Sequence, residues 1–126
     1  MANFYNLQII FEPSFETYQS ISEILALSPS ERIPFSEVEL KNGPNLWQHE
    51  VEEKITDPYF DFITYYTDII ISKSEELFKL EINRDAISIW FLYAYKDQCN
   101  LEFEPVRLKK LADSCIKLCI SCWQED

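Results

Sequence analysis

Three of the four cysteines, Cys115, Cys119 and Cys122, have the C-x3-C-x2-C spacing that can hold an iron–sulfur cluster. Such a cluster needs a loop that wraps three thiolates around one centre. The alternating polarity here instead predicts a strand, which would place Cys115 and Cys119 about 13 Å apart at ~3.3 Å per residue. Cys119 and Cys122 would point to opposite faces of that strand. We therefore expect free thiols, in the core or at a sheet edge, in preference to a cluster or a zinc site.

The single histidine, His49, is the residue best suited to general base catalysis at neutral pH. It alternates with Trp47 and Val51, so we expect its ring on the core side of a strand, packed and hydrogen-bonded. No serine lies in a G-x-S-x-G motif. A single glycine excludes a glycine-rich phosphate loop, and a single histidine excludes a multi-histidine metal site. The sequence thus predicts a binding protein without cofactor or metal, and not an enzyme.

The chain carries 22 acidic and 11 basic residues, for a formal net charge of −11. A nucleic-acid binder needs a basic face to displace counterions from phosphates, so this balance argues against nucleic acid as a partner. Acid pairs such as Glu102 and Glu104 share one face of a predicted strand, a pattern that usually indicates solvated surface. The excess of acids favours a basic protein as the partner.

An acidic stripe lies on the polar face of the main predicted helix. Asp57, Asp61 and Asp68 belong to it, and no lysine or arginine lies between Lys54 and Lys73. The stripe therefore has no counterion at helical i,i+4 spacing, and a basic side chain of a partner would relieve the repulsion. A solvated face kept for solubility is the alternative. Aromatic residues expected at the surface are added to these acids, because interfaces are rich in aromatic residues. The predicted partner-binding residues are Glu50, Glu52, Glu53, Asp57, Asp61, Asp68, Tyr65 and Trp123.

The polarity pattern predicts the elements that position these residues. Strand, hairpin and helix signals give the order β-α-β-β-α-β-(β)-α-β. The predicted elements are a strand at Phe4–Phe11, a helix capped by Ser14 and ended before Pro29, an extended segment at Arg32–Lys41 with a turn at Asn42-Gly43, a strand at Leu46–Glu53, a main helix opened by Asp57-Pro58 that breaks near Ser72–Ser74 and resumes at Glu75–Leu80, a strand at Ala86–Tyr95, a short strand at Asn100–Phe103, a helix from Pro105 and a strand at Cys115–Trp123.

Residues 1–126 have the length of one domain with one core. We predict an α+β two-layer sandwich, with a mixed or antiparallel sheet and helices mainly on one face. Ala86–Tyr95 is apolar on both faces, which indicates a central strand. In the helix from Pro105, Leu108, Leu111 and Ala112 are expected to face inward and Arg107 and Lys110 outward.

The first basic residue is Arg32, so the chain lacks the basic start of a signal peptide. The most apolar stretch, Ala86–Tyr95, has about half the residues needed to cross a bilayer. We therefore expect a cytoplasmic protein that does not bind membranes, with reduced cysteines.

Several runs of residues resemble a small bacterial domain family catalogued only as a domain of unknown function. Members of that family end with an extended segment, a short helix and a strand of alternating apolar residues. The runs that carry the resemblance are Asn100–Pro105, Leu108, Leu111–Asp113 and Ile116–Ile120 near the C-terminus, with Ile24–Ser30 and Leu46–Gln48 upstream. The resemblance implies no catalytic residues.

More broadly, the acidic, aromatic-rich chain is similar to the small cytoplasmic immunity proteins of bacterial toxin systems, including those of contact-dependent growth inhibition. Such proteins neutralise a cognate toxin by binding it. A toxin that is a nuclease must be basic around its substrate groove, so an acidic inhibitor gains association rate and orientation.

The predicted function is therefore that of a non-enzymatic immunity protein, a monomer or weak dimer, which binds a basic toxin domain such as a nuclease. One alternative is a self-associating structural or regulatory domain, suggested by the apolar pair Trp90 and Leu92. Another is a small hydrolase that uses His49 with a carboxylate.

Overall fold

The computed structural model describes residues 3–12, 14–30, 46–53 and 60–125. The elements in these ranges form an α+β fold, as the sequence predicts. They are β1 (Phe4–Ile10), α1 (Phe15–Leu25), β2 (Leu46–Glu52), α2 (Phe62–Ser72), α3 (Ser74–Lys79), a 3-10 turn (Arg84–Ala86), β3 (Ile87–Tyr95), α4 (Pro105–Ser114) and β4 (Lys117–Gln124). The segment Arg32–Lys41 and the turn at Asn42-Gly43, both predicted from the sequence, lie outside the described residues.

The four strands of the described ranges form one mixed sheet in the order β2-β1-β3-β4. β1 runs antiparallel to both β2 and β3, and β3 pairs in parallel with β4. The parallel pair requires a crossover connection, which α4 supplies. β3 is an inner strand, as its apolar sequence predicts.

The described helices pack on one face of this sheet. On that face, Tyr5 of β1 lies beside Phe91, and Leu7 lies between His49 and Ile89. The indole nitrogen of Trp47 on β2 donates to the hydroxyl of Ser22 on α1 at 2.9 Å. The hydroxyl of Tyr66 on α2 donates to the carbonyl of Tyr5 at 3.3 Å. Sheet and helices share one apolar core, and the result is the predicted two-layer arrangement.

The other face of the sheet, which we call the open face, carries the alternate residues of each strand. Across its middle, Glu50 pairs with Asn6, Asn6 with Trp90, and Trp90 with Cys119. None of the described helices packs on this face. Trp90 and Leu92 are half-buried there, whereas the polar residues Asn6, Gln48 and Ser88 of the same face are buried.

Side-chain caps mark the starts of α1 and α2. The Ser14 hydroxyl accepts from the backbone N–H of Thr17 at 3.1 Å, which confirms the predicted N-cap of α1. The predicted start of the main helix at Asp57-Pro58 is wrong, because α2 begins at Phe62 with Asp61 as its N-cap. Asp61 accepts from both the backbone N–H and the hydroxyl of Thr64, at 3.1 and 2.6 Å. The predicted break near Ser72–Ser74 is confirmed at Lys73.

The C-terminal part differs from prediction in three places. Residues 100–103 do not form a strand. Leu108 and Ala112 are exposed on α4 and Arg107 is turned inward, the reverse of the expected faces, whereas Leu111 packs against the core as expected. β4 begins at Lys117 because Cys115 takes a left-handed conformation that ends α4. No helix in the described part of the chain is long and apolar enough to span a membrane.

Candidate functional site

A cleft of about 700 Å³ opens beside the start of α2. β1 and β3 form its floor, the end of α2 nearest Phe62 forms one wall, and residues 100–104 form the other. We call it the acidic–aromatic cleft. Its lining includes six aromatic rings, those of Tyr5, Phe60, Phe62, Phe91, Tyr93 and Phe103.

The rings are ordered by contacts among themselves. Tyr5 stacks on Phe62 with centroids 4.6 Å apart and an interplanar angle of 14°. Phe62 also meets Phe91 edge-on at 5.5 Å and Phe103 at 6.4 Å. Offset stacking and edge-to-face contacts are the favoured arrangements of aromatic pairs, so the cleft floor is well packed.

Four carboxylates also line the cleft, and among its described lining residues Arg107 is the one base. The acids are Glu53, Asp61, Glu102 and Glu104. Glu53 is held where β2 ends, because its carboxylate accepts from the side-chain amide of Asn3 at 2.7 Å. Glu102 and Glu104 are exposed. The cleft therefore combines negative charge with aromatic rings, the two groups that attract organic cations.

Arg107 shows how this cleft holds a guanidinium group. Its Nε donates to Oδ1 of Asp61 at 2.7 Å, and its side chain is only 19% exposed. The guanidinium carbon lies 5.6 Å from the Phe62 ring centroid and 6.0 Å from that of Phe103. These distances are within the range of cation–π attraction.

Asp61 is the anion of that pair. Its partial burial by itself raises the pKa of the carboxyl, but hydrogen bonds from Thr64 and the charge of Arg107 outweigh burial, so the pKa of Asp61 is lowered. Asp61 is therefore ionised at neutral pH and already has a counterion within the chain.

The rest of the predicted acidic stripe is also partly neutralised. Asp68 accepts from Nζ of Lys110 at 3.0 Å, so α4 supplies counterions to both Asp61 and Asp68. The expectation of a stripe without counterions is thus wrong for these two residues, because bases distant in sequence reach it through packing of α4 against α2. Asp57 lies outside the described residues.

The predicted partner-binding residues fall in different places. Glu53 and Asp61 line the cleft together. Glu50 and Glu52 lie on the open face, where Asn6, with its amide oriented to satisfy its neighbours, donates to Glu50 at 2.9 Å. Trp123 lies on the same face at the opposite edge, paired with Ala94. The structure therefore does not gather the seven described residues of this set into one surface.

Tyr65, another predicted partner-binding residue, lies on α2 near the cleft. The residue is 36% exposed, and its ring contacts Phe60 with centroids 5.5 Å apart. Because Phe60 lines the cleft, Tyr65 extends the aromatic surface onto the outer face of α2.

His49 lies away from the cleft. Its Nδ1 is 2.9 Å from the hydroxyl of Tyr66, and burial lowers the pKa of the imidazole. Burial, with lesser contributions from Tyr65 and Glu50, raises the pKa of Tyr66 well above its ordinary value. The pair bridges β2 and α2 on the core side, in agreement with the packed, hydrogen-bonded histidine that alternation with Trp47 predicts.

Sequence reasoning missed much of the cleft. The sequence predicts a short strand at Asn100–Phe103, solvated surface for Glu102 and Glu104, and an outward position for Arg107. A local signal was present, since two acids flank an aromatic residue just before a helix that begins with Pro105. The rings of β1 and β3 that complete the cleft carry no such signal, because alternating strands place most aromatics in a core. Comparisons of the chain with protein-family models, curated protein sequences and solved structures find no match.

Proposed function

We propose that the chain is a binding protein that neutralises a cognate basic bacterial toxin, and that it receives a basic side chain of that toxin in the acidic–aromatic cleft. The supporting observation is the cleft itself. Four carboxylates and six rings surround a space large enough for a further arginine or lysine side chain beside Arg107.

The charge distribution supports such a partner. Arg107 is paired with Asp61, which leaves Glu53, Glu102 and Glu104 as the excess negative charge of the lining. A cation that enters would meet the partly exposed rings of Phe60, Tyr93 and Phe103 together with the carboxylates. Both interactions strengthen when water is displaced. Interface hot spots commonly consist of such desolvated aromatic and arginine contacts.

The exposed acids provide the test. Glu102→Gln with Glu104→Gln removes two charges from the cleft rim without removing a helix cap, because the Glu104 side chain makes no cap hydrogen bond. We expect the association rate with the cognate toxin domain to fall about threefold to tenfold at low salt, with a smaller effect at high salt. Stopped-flow fluorescence measures the association rate at low and at high salt.

The matched control is Glu75→Gln with Glu76→Gln on α3, which makes the same change in net charge at exposed positions outside the cleft. If both double variants slow association equally, total charge matters and the cleft does not.

Growth of cells that co-express the toxin and this chain reports neutralisation of the toxin. Cells that die despite soluble wild-type chain would contradict the toxin proposal.

A second candidate function is self-association through the open face. It is favoured by the half-buried Trp90 and Leu92, which lie on the face that none of the described helices covers. Light scattering over a wide concentration range tests it. A dimer that Trp90→Ser abolishes would support this function, and a strict monomer would oppose it.

A further inference from the structure

Two cysteines far apart in sequence meet at the edge of the sheet. The sulfur atoms of Cys99 and Cys122 are 3.8 Å apart, and both residues are exposed free cysteines. Cys99 lies in the segment that leaves β3, and Cys122 lies on β4 opposite Tyr93. The C-x3-C-x2-C spacing did not predict this pair, because Cys99 is not part of that pattern.

Neighbouring hydrogen bonds hold the two positions together. The backbone N–H of Glu125 donates to the carbonyl of Tyr95 at 2.7 Å, and the side-chain amide of Gln124 donates to the carbonyl of Lys96 at 3.0 Å. These bonds fasten the start of the segment that carries Cys99 to the end of β4. The meeting of the two thiols therefore follows from the β3–β4 pairing.

We propose that Cys99 and Cys122 form a reversible intramolecular disulfide, and that this pair is an oxidation site of the protein. A disulfide has an S–S distance of about 2.05 Å, so the sulfurs must approach by less than ~2 Å. Rotation of two exposed side chains, one of them outside any helix or strand, supplies such a movement.

The oxidant is a small-molecule disulfide such as oxidised glutathione. A thiolate of the pair attacks one sulfur of the oxidant, which forms a mixed disulfide and releases one reduced thiol. The second cysteine then attacks the protein sulfur of the mixed disulfide and releases the second reduced thiol. In total, the protein loses two electrons and two protons, and the two released thiols of the oxidant carry them.

The other cysteines serve as internal controls. Cys119 points to the open face, because it pairs with Trp90, whereas Cys122 pairs with Tyr93 on the helix side. Cys115 ends α4, ahead of the strand. Cys99 and Cys122 are thus the pair expected to close.

Peptide mapping tests the proposal directly. The variant Cys115→Ser with Cys119→Ser retains only the proposed pair. After equilibration with reduced and oxidised glutathione, we expect its intact mass to fall by two hydrogen atoms. Trypsin cleaves after Lys96, Arg107 and Lys117, so unreduced digests should contain residues 97–107 joined to residues 118–126. Addition of dithiothreitol should separate the two peptides.

Single variants set the contrary outcomes. Cys99→Ser and Cys122→Ser, each made in that double variant, should keep a glutathione adduct on the remaining thiol and form no linked peptide. A stable adduct on both thiols of the parent variant, without the linked peptide, would overturn the proposal. The oxidised parent should also melt roughly 5–10 °C above its reduced form, because the bridge restricts the unfolded chain.

Discussion

Asp61 connects three parts of the molecule through one carboxylate. It caps α2 through Thr64, pairs with Arg107 on α4 and lines the cleft. The residue type alone indicates that Asp61 can cap a helix, since aspartate is a strong N-cap. The sequence does not indicate whether α2 starts at Asp57 or at Asp61, because both acids precede apolar residues at helical spacing. The ion pair with Arg107 depends on a residue 46 positions later.

His49 gives the residue-scale prediction. Burial lowers the pKa of its imidazole below the unfolded value of about 6.5. As pH falls below that value, the unfolded chain takes up a proton that the folded protein does not, so the free energy of unfolding decreases until the pH passes the folded pKa. The loss is at most about 1.4 kcal/mol per pH unit for one proton.

Urea unfolding between about pH 7.5 and about pH 5.5 measures this loss. Since the chain contains 1 histidine, His49→Gln should flatten the dependence over that range while it keeps a polar partner for Tyr66. A slope that is the same in the variant and the wild-type protein would show that His49 titrates alike in both states.

At the scale of elements, helices and strands are joined by a few polar bridges inside an apolar interface. Trp47 on β2 is 0% exposed, and its indole N–H has the Ser22 hydroxyl of α1 as its partner. Tyr66 joins α2 to β1 and β2 in the same manner. The helical and strand periods predicted which residues of β2 turn inward but not those of α4, and these bridges fix where α1 and α2 lie on the sheet.

The Trp47–Ser22 bridge gives the element-scale prediction. Ser22→Ala should lower the free energy of unfolding by about 1–3 kcal/mol, because the buried indole N–H loses its acceptor. In a background of Trp47→Phe, which has no N–H, the same change should cost much less. Chemical denaturation of the four proteins completes this double-mutant cycle. Equal costs in both backgrounds would mean that the hydrogen bond contributes nothing to docking of α1.

At the scale of the whole molecule, acids outnumber bases by two to one, with 22 against 11. α4 carries Arg107, Lys109 and Lys110, and each of them forms an ion pair with an aspartate. Bases on this helix are therefore already engaged, and the surplus negative charge repels itself across the surface.

This surplus gives the whole-molecule prediction. Raising NaCl from about 10 mM to about 150 mM shortens the Debye length from about 30 Å to about 8 Å. The melting temperature measured by circular dichroism should therefore rise by a few degrees, as repulsion among carboxylates is screened. The Glu75→Gln, Glu76→Gln protein should show a smaller rise. A melting temperature that falls with salt would mean that the ion pairs outweigh the repulsion.

The amino-acid sequence alone determined the α+β class, the cap at Ser14, the break at Lys73, the inward face of β2 and the net negative charge. The cap, the break and the inward face each depend on the spacing and polarity of residues in one segment. The class follows from the succession of such segments, and the charge is a sum over residues, so neither depends on tertiary contacts. Tertiary structure alone decided the counterions of Asp61 and Asp68, the acidic–aromatic cleft and the meeting of Cys99 with Cys122. These features join segments far apart in the chain. The contacts between those segments form only once the strand order of the sheet and the packing of α4 against α2 are fixed.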